Sequence, residues 1–247
     1  MRRGPSGCSR KAGRATRPTR RLTGHRIAAI ALTALTLIAA DEAEPPLLSA
    51  AASGRTEEVA ALIAAETDLT VTNGVGWTAL HLAAKHGRAE IVTLLIDAGA
   101  PLESLDPTIW TPLQLACSYG KPETARILLA RGADVQAKRA NGMTSLHYVS
   151  QNGRDDIAAL LIAAGADLEA RADNGWAPLH LAAFHGNETV VRQLLDAGAD
   201  RMARTKAGQR AVGLARKRGH AEIVKILRAK PKPPAVEATP APTADDS

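Results

Sequence analysis

Acid–base, nucleophilic or metal chemistry in this sequence would fall to His81, His86, His147, His180 and His185, to the thiol of Cys117, and to the carboxylate pairs Glu57-Glu58 and Asp155-Asp156. Two histidines share a helical face as metal ligands when they stand four apart, as in H-E-x-x-H. Here His81 and His86, like His180 and His185, stand five apart, and no His-Cys cluster accompanies them. No G-x-S-x-G elbow is present, and Cys117 has no evident base beside it. Neither G-x-x-x-x-G-K-[ST] nor G-x-G-x-x-G occurs, and Gly74-Val75-Gly76 reads as a hairpin tip. The carboxylate pairs open apolar helical segments, where negative charge complements the helix dipole. These residues point away from an enzyme and call for no metal or cofactor.

The positioning elements are plain, because the sequence repeats. Thr78-Ala79-Leu80-His81-Leu82-Ala83-Ala84 recurs every 33 residues as TPLQLAC at 111–117, TSLHYVS at 144–150 and APLHLAA at 177–183. Weaker copies are PPLLSAA at 45–51 and RAVGLAR at 210–216. One column reads Leu47, Leu80, Leu113, Leu146, Leu179 and Val212; three residues on, small side chains recur as Ala50, Ala83, Ala116, Val149, Ala182 and Ala215. That spacing lies on one helical face and lets a neighbouring helix come close. Glycines such as Gly87 and Gly153 end this helix. A second helix follows, with Leu62, Leu95, Leu128, Leu161, Leu194 and Leu227 in register. Gly-Ala pairs stop it, and Asn141-Gly142 and Asn174-Gly175 turn the following excursion back.

Helix, turn, helix and hairpin at a period of 33, with T-P-L-H-x-A-like segments and Gly132-Ala133-Asp134-like elements, resemble the ankyrin repeat family. The resemblance covers about residues 45–230. It implies an all-α repeat solenoid of about six stacked units with β-hairpin loops, divided at 45–77, 78–110, 111–143, 144–176, 177–209 and 210–230. It also implies that the histidine column is structural, its rings bonding within and between hairpins. Pro101 replaces a recurring Asp, Ile109 replaces a recurring hairpin Gly, and the outer two copies lack most of the motif, as capping repeats do.

Residues 1–26 hold nine basic and no acidic residues, and Ile27 to Ala40 is an unbroken run of 14 Ala, Leu, Ile and Thr residues. A spanning helix needs about 20 apolar residues, so residues 1–40 read as a secretory signal peptide cleaved after Ala40. An uncleaved membrane anchor and a transit peptide are the alternatives, and Arg20-Arg21 faintly resembles a twin-arginine signal. The expected setting is the bacterial periplasm or outside the cell, and the expected state is a monomer. With Cys8 in the leader, Cys117 alone remains, in a column of alanines, so a buried inert thiol is expected. After Lys230 the Pro-rich segment 231–247 has almost nothing to bury and is expected to be disordered.

Charge is uneven along the chain. Residues 41–200 hold 11 basic and 21 acidic residues, whereas 201–232 hold 11 basic residues and only Glu222. The acidic body suggests a partner with a basic patch.

Trp77, Trp110 and Trp176 occupy one repeat position, with Met143 in the fourth copy. Beside them, Lys85, Ser118, Gln151, Phe184 and Lys217 form one column, and His86, Tyr119, Asn152, His185 and Arg218 the next. The packing columns stay fixed while these vary, as on a recognition surface carried by a rigid scaffold. Resemblance to ankyrin modules places them on a concave face of hairpins and inner helices. The expected function is therefore a non-catalytic protein-interaction scaffold. Its partner-binding residues are Trp77, Trp110, Met143, Trp176, His86, Tyr119, Asn152, Phe184 and His185, although each Trp has packing on its hairpin neighbour as a second reading. The alternative function is polyanion binding, to nucleic acid or an anionic membrane surface, through the basic last repeat, including Arg204, Lys206, Arg216, Lys217 and Arg218.

Overall fold

Helices of seven to nine residues are marginal on their own in water, and every helix here has that length, so packing between repeats must hold them. The computed structural model describes residues 44–103 and 110–229, all within one compact unit beginning at Glu44. The expected signal peptide, its cleavage point, Ile109 and the Pro-rich tail lie outside them.

Twelve helices are present among the described residues. The first helix of each repeat is α1 (Pro46–Ser53), α3 (Ala79–His86), α5 (Pro112–Ser118), α7 (Ser145–Asn152), α9 (Pro178–His185) and α11 (Ala211–Arg218). The second is α2 (Thr56–Ala64), α4 (Ala89–Asp97), α6 (Pro122–Ala130), α8 (Asp155–Ala163), α10 (Glu188–Asp196) and α12 (Ala221–Arg228). First helices pack on first helices of the adjoining repeats and second helices on second helices, giving two layers. The core runs between them through Leu80, Leu113, Leu146 and Leu179 and through Leu95, Leu128, Leu161 and Leu194, all fully buried. Each column loosens at one end, where Leu62 and Val212 are half-buried, while Leu47 and Leu227 at the opposite ends stay buried.

Local signals set the helix boundaries. Pro46, Pro112 and Pro178 stand in the first turn, where a missing N–H costs nothing. Each second helix has an acidic residue in its first turn, on the positive end of the dipole. Gly153 closes α7 at φ 66°, and a Cβ there would lie 2.6 Å from Asn187 Oδ1. Asn187 sits so close because its Nδ2 donates to the carbonyls of Ser150 at 2.7 Å and Gln151 at 3.0 Å, capping the end of α7 from the next repeat.

The excursions between repeats turn back as expected but form almost no ladder. Each described hairpin is closed by the same two backbone bonds, such as Arg139 N–H to Met143 O at 3.1 Å with Gly142 N–H to Arg139 O at 2.8 Å, and Ala172 N–H to Trp176 O at 3.0 Å with Gly175 N–H to Ala172 O at 2.8 Å. Only the isolated bridge between Arg204 and Arg210 counts as β-structure among the described residues. Neighbouring hairpins bond to each other instead, with Asp173 N–H donating to Asn141 O at 3.0 Å and Lys206 N–H to Asn174 O at 3.3 Å. That approach requires glycine at 175, where a Cβ would lie 2.6 Å from Lys206 N.

A further ladder crosses the turns after the second helices. Oε1 of Glu103, Gln136 and Glu169 accepts from the backbone N–H of Asp134, Asp167 and Asp200 in the following repeat, at 2.9, 3.1 and 2.8 Å. No helix among the described residues is long and apolar enough to cross a membrane.

Candidate partner-binding face

The histidine column is built into the start of the first helices. At α7 the backbone N–H of Thr144 donates to Nδ1 of His147 at 3.1 Å. An accepting Nδ1 puts the ring proton on Nε2, which lies 3.1 Å from the Trp176 carbonyl in the following hairpin. His180 repeats the arrangement, with Ala177 N–H at 3.2 Å and the Ala203 carbonyl at 3.1 Å. His81 accepts from Thr78 N–H at 3.2 Å and bonds the backbone of Trp110. At 114 the column holds Gln, whose Oε1 accepts from Thr111 N–H at 3.2 Å while Nε2 donates to Ala137 O at 2.9 Å. An amide can replace the imidazole because both offer one acceptor and one donor on opposite sides. Burial pulls His81 down to about 4, and it also lowers His147 and His180. These rings are neutral structural links, as the resemblance implied.

Cys117 is fully buried, and desolvation pushes its thiol up to about 12. Among the described residues no group of three His, Cys, Asp or Glu side chains is placed to hold a metal ion.

The aromatic column lies over the first helices in three clusters, each with one cation. In the first, Lys85 Nζ lies 4.8 Å from the Trp77 ring centre and 5.3 Å from that of Tyr119. In the second, Trp110 packs on Tyr148 at 4.3 Å between ring centres, and Arg139 covers Trp110 at 4.5 Å. The Arg139 guanidinium also donates to the Tyr148 hydroxyl at 3.3 Å. In the third, Trp176 meets Phe184 edge-on at 5.2 Å, Phe184 meets His185 at 5.2 Å, and Arg218 lies 4.0 Å over Phe184.

The predicted site residues divide by exposure. Trp77, Trp110, Met143, Trp176 and Phe184 are half-buried, whereas His86, Tyr119, Asn152 and His185 are exposed. Asn152 is tied back by its Nδ2 to the Ser118 carbonyl at 3.2 Å. Tyr148 and Arg139 were missed from the sequence. The signal for Tyr148 was its break in the column of Leu82, Leu115, Leu181 and Leu214; Arg139 left none.

Charge separates between the layers. No first helix contains Asp or Glu, and α3 and α11 carry Lys85, Arg216, Lys217 and Arg218. The carboxylates gather in the second helices, where Glu123, Glu188 and Glu222 pair with Arg126, Arg192 and Lys225 of their own helices. The acidic sum of residues 41–200 therefore does not describe the first-helix face. The carboxylates of that stretch lie in the second helices and in the turns and hairpins, such as Asp134, Asp167, Glu169 and Asp173.

The family model described as ankyrin repeats (3 copies) matches residues 47–139, 102–172 and 146–237. Among curated proteins, none matches this chain.

Proposed function

The chain belongs to the ankyrin repeat family, and from that premise we propose that it is a non-catalytic interaction module binding a partner protein on the face made by its first helices and hairpins. Ankyrin repeats are generally protein–protein interaction modules. The observation that carries the reading is the contrast between columns. Leu80, Leu113, Leu146 and Leu179 are identical and buried, while the column of His86, Tyr119, Asn152 and His185, at the far ends of the same helices, mixes His, Tyr and Asn and is exposed. A rigid stack presents such side chains with little ordering entropy left to lose on binding. The half-buried Trp77, Trp110 and Trp176 supply apolar area at the base of that surface.

The arginine-rich segment 1–26 and the apolar run 27–40 support export to the periplasm as part of the same reading. Mass spectrometry of the mature N-terminus tests it, and an intact residue 1 in an exported fraction would overturn cleavage after Ala40.

The binding reading is tested by affinity capture with residues 41–247. The comparison bait carries Tyr119→Ala and His185→Ala, two exposed positions whose loss leaves the core intact. A partner retained by the first bait and lost by the second supports the face. Equal retention by both would place the site elsewhere.

A further inference from the structure

The cations of the first-helix face differ from the others in what neutralises them. Five of the six ion pairs among the described residues involve second helices or their ends, and the sixth joins Arg171 to Glu169 in a hairpin. Lys85, Lys217 and Arg218 are in none of them. Lys85 and Arg218 lie instead against aromatic rings, at 4.8 Å from Trp77 and 4.0 Å from Phe184. A ring face attracts a cation without accepting its N–H groups in the way a carboxylate does. Three ammonium hydrogens and up to five guanidinium hydrogens thus stay available for an oxygen ligand.

We infer that the first-helix face takes an acidic segment of the partner protein, a stretch in which Asp or Glu alternates with apolar residues. Its carboxylates meet Lys85 at one end and Arg216, Lys217 and Arg218 at the other. Its apolar side chains lie on Tyr119 and on the exposed parts of Trp110 and Trp176. This inference rests on the binding face proposed above and adds the chemistry of what it binds. Charge complementarity on the helices carries it, because α1, α3, α5, α7, α9 and α11 contain no carboxylate to repel such a segment, and in the hairpin before Trp176, Glu169 is paired with Arg171, leaving Asp173 beside it. Single-stranded nucleic acid fits less well. Bases stack on open ring faces, whereas Lys85 and Arg139 cover Trp77 and Trp110, and Trp176 is met edge-on by Phe184.

The test selects random dodecapeptides displayed on phage against the folded chain, then measures the recovered peptides by fluorescence anisotropy. The expected peptides are rich in Asp, Glu and apolar residues. They weaken by about tenfold or more against K85E/R218E, as for like charge placed across an interface, and change little against the second-helix variant R126E/R192E. Lys217→Glu, whose side chain touches no ring, gives the same direction if K85E/R218E does not fold. Basic or neutral peptides that need Tyr119 and His185 would overturn the acidic segment and leave the binding face standing. Peptides indifferent to both sets, or no recovered peptide, would overturn both readings. Displacement of the peptides by oligothymidylate, binding more tightly and more steeply with salt, would give the face to nucleic acid instead.

Discussion

The Nε2–H of His147 reaches the carbonyl of Trp176 at 3.1 Å, joining the start of the repeat to the hairpin that closes it across 29 positions. The same ring accepts from Thr144 N–H at 3.1 Å, so both nitrogens are committed only while the imidazole is neutral. His81 and His180 carry equivalent links.

Acid should therefore loosen the stack before most carboxylates titrate. Folded-state values for these rings lie below the ordinary 6.5, His81 at about 4. Between those pH values the unfolded chain takes up protons that the folded chain refuses. The contribution is complete above about pH 6.5 and is lost as pH falls toward 4, on the order of 3 kcal/mol for His81. Urea unfolding from pH 7.5 to 4.5 measures it. The variant H81Q/H147Q/H180Q, which copies the Gln already present at 114, should show a flatter profile over that window. Identical profiles would remove the histidines as the cause.

Leu128 and Leu161 are fully buried in the second-helix layer, with repeats on both sides. Alanine at either position should cost about 2–5 kcal/mol. Leu62, half-buried in the first repeat, should cost clearly less. Midpoints of chemical unfolding decide this, and equal losses at all three would contradict a stack whose interior is tighter than its end.

Trp110 is both a candidate contact residue and a packing residue, because Tyr148 and Arg139 lie against it. A double-mutant cycle of Trp110→Ala and Tyr148→Ala should give a coupling of about 0.5–1.5 kcal/mol in stability. Additive losses would mean that the 4.3 Å ring contact contributes nothing in solution. Partner affinity measured on the same variants separates the two roles of Trp110.

Much of this was legible from the sequence, for a physical reason. A period fixed at 33 residues puts Leu80, Leu113, Leu146 and Leu179 in equivalent surroundings, so their shared burial follows from one helical face. The histidine column followed from family resemblance, and Gln114 then showed what the column needs: an acceptor toward its own helix and a donor toward the next hairpin. Contacts between columns were not legible. Arg139 over Trp110 depends on how two long side chains turn, and no spacing expresses that. A charge sum along the chain does not separate the layers, although the absence of Asp and Glu from all first helices was open to reading. The hairpins were placed correctly by Asn141-Gly142 and Asn174-Gly175, but their arms are too short to pair beyond the two bonds that close the turn.

Two of the polar ladders between repeats reach in the same direction. His147, His180 and Gln114 donate forward, and Glu103, Gln136 and Glu169 accept from the repeat that follows. In the sixth repeat Gly213 occupies the histidine column and has no side chain with which to reach onward. During synthesis, which starts at the N-terminus, a repeat emerging from the ribosome cannot satisfy the buried ring at its start until the hairpin at its end has been made. Each pair of helices is thus chemically finished only by chain made after it, first by its own closing hairpin and then, through Glu103, Gln136 and Glu169, by the repeat that follows.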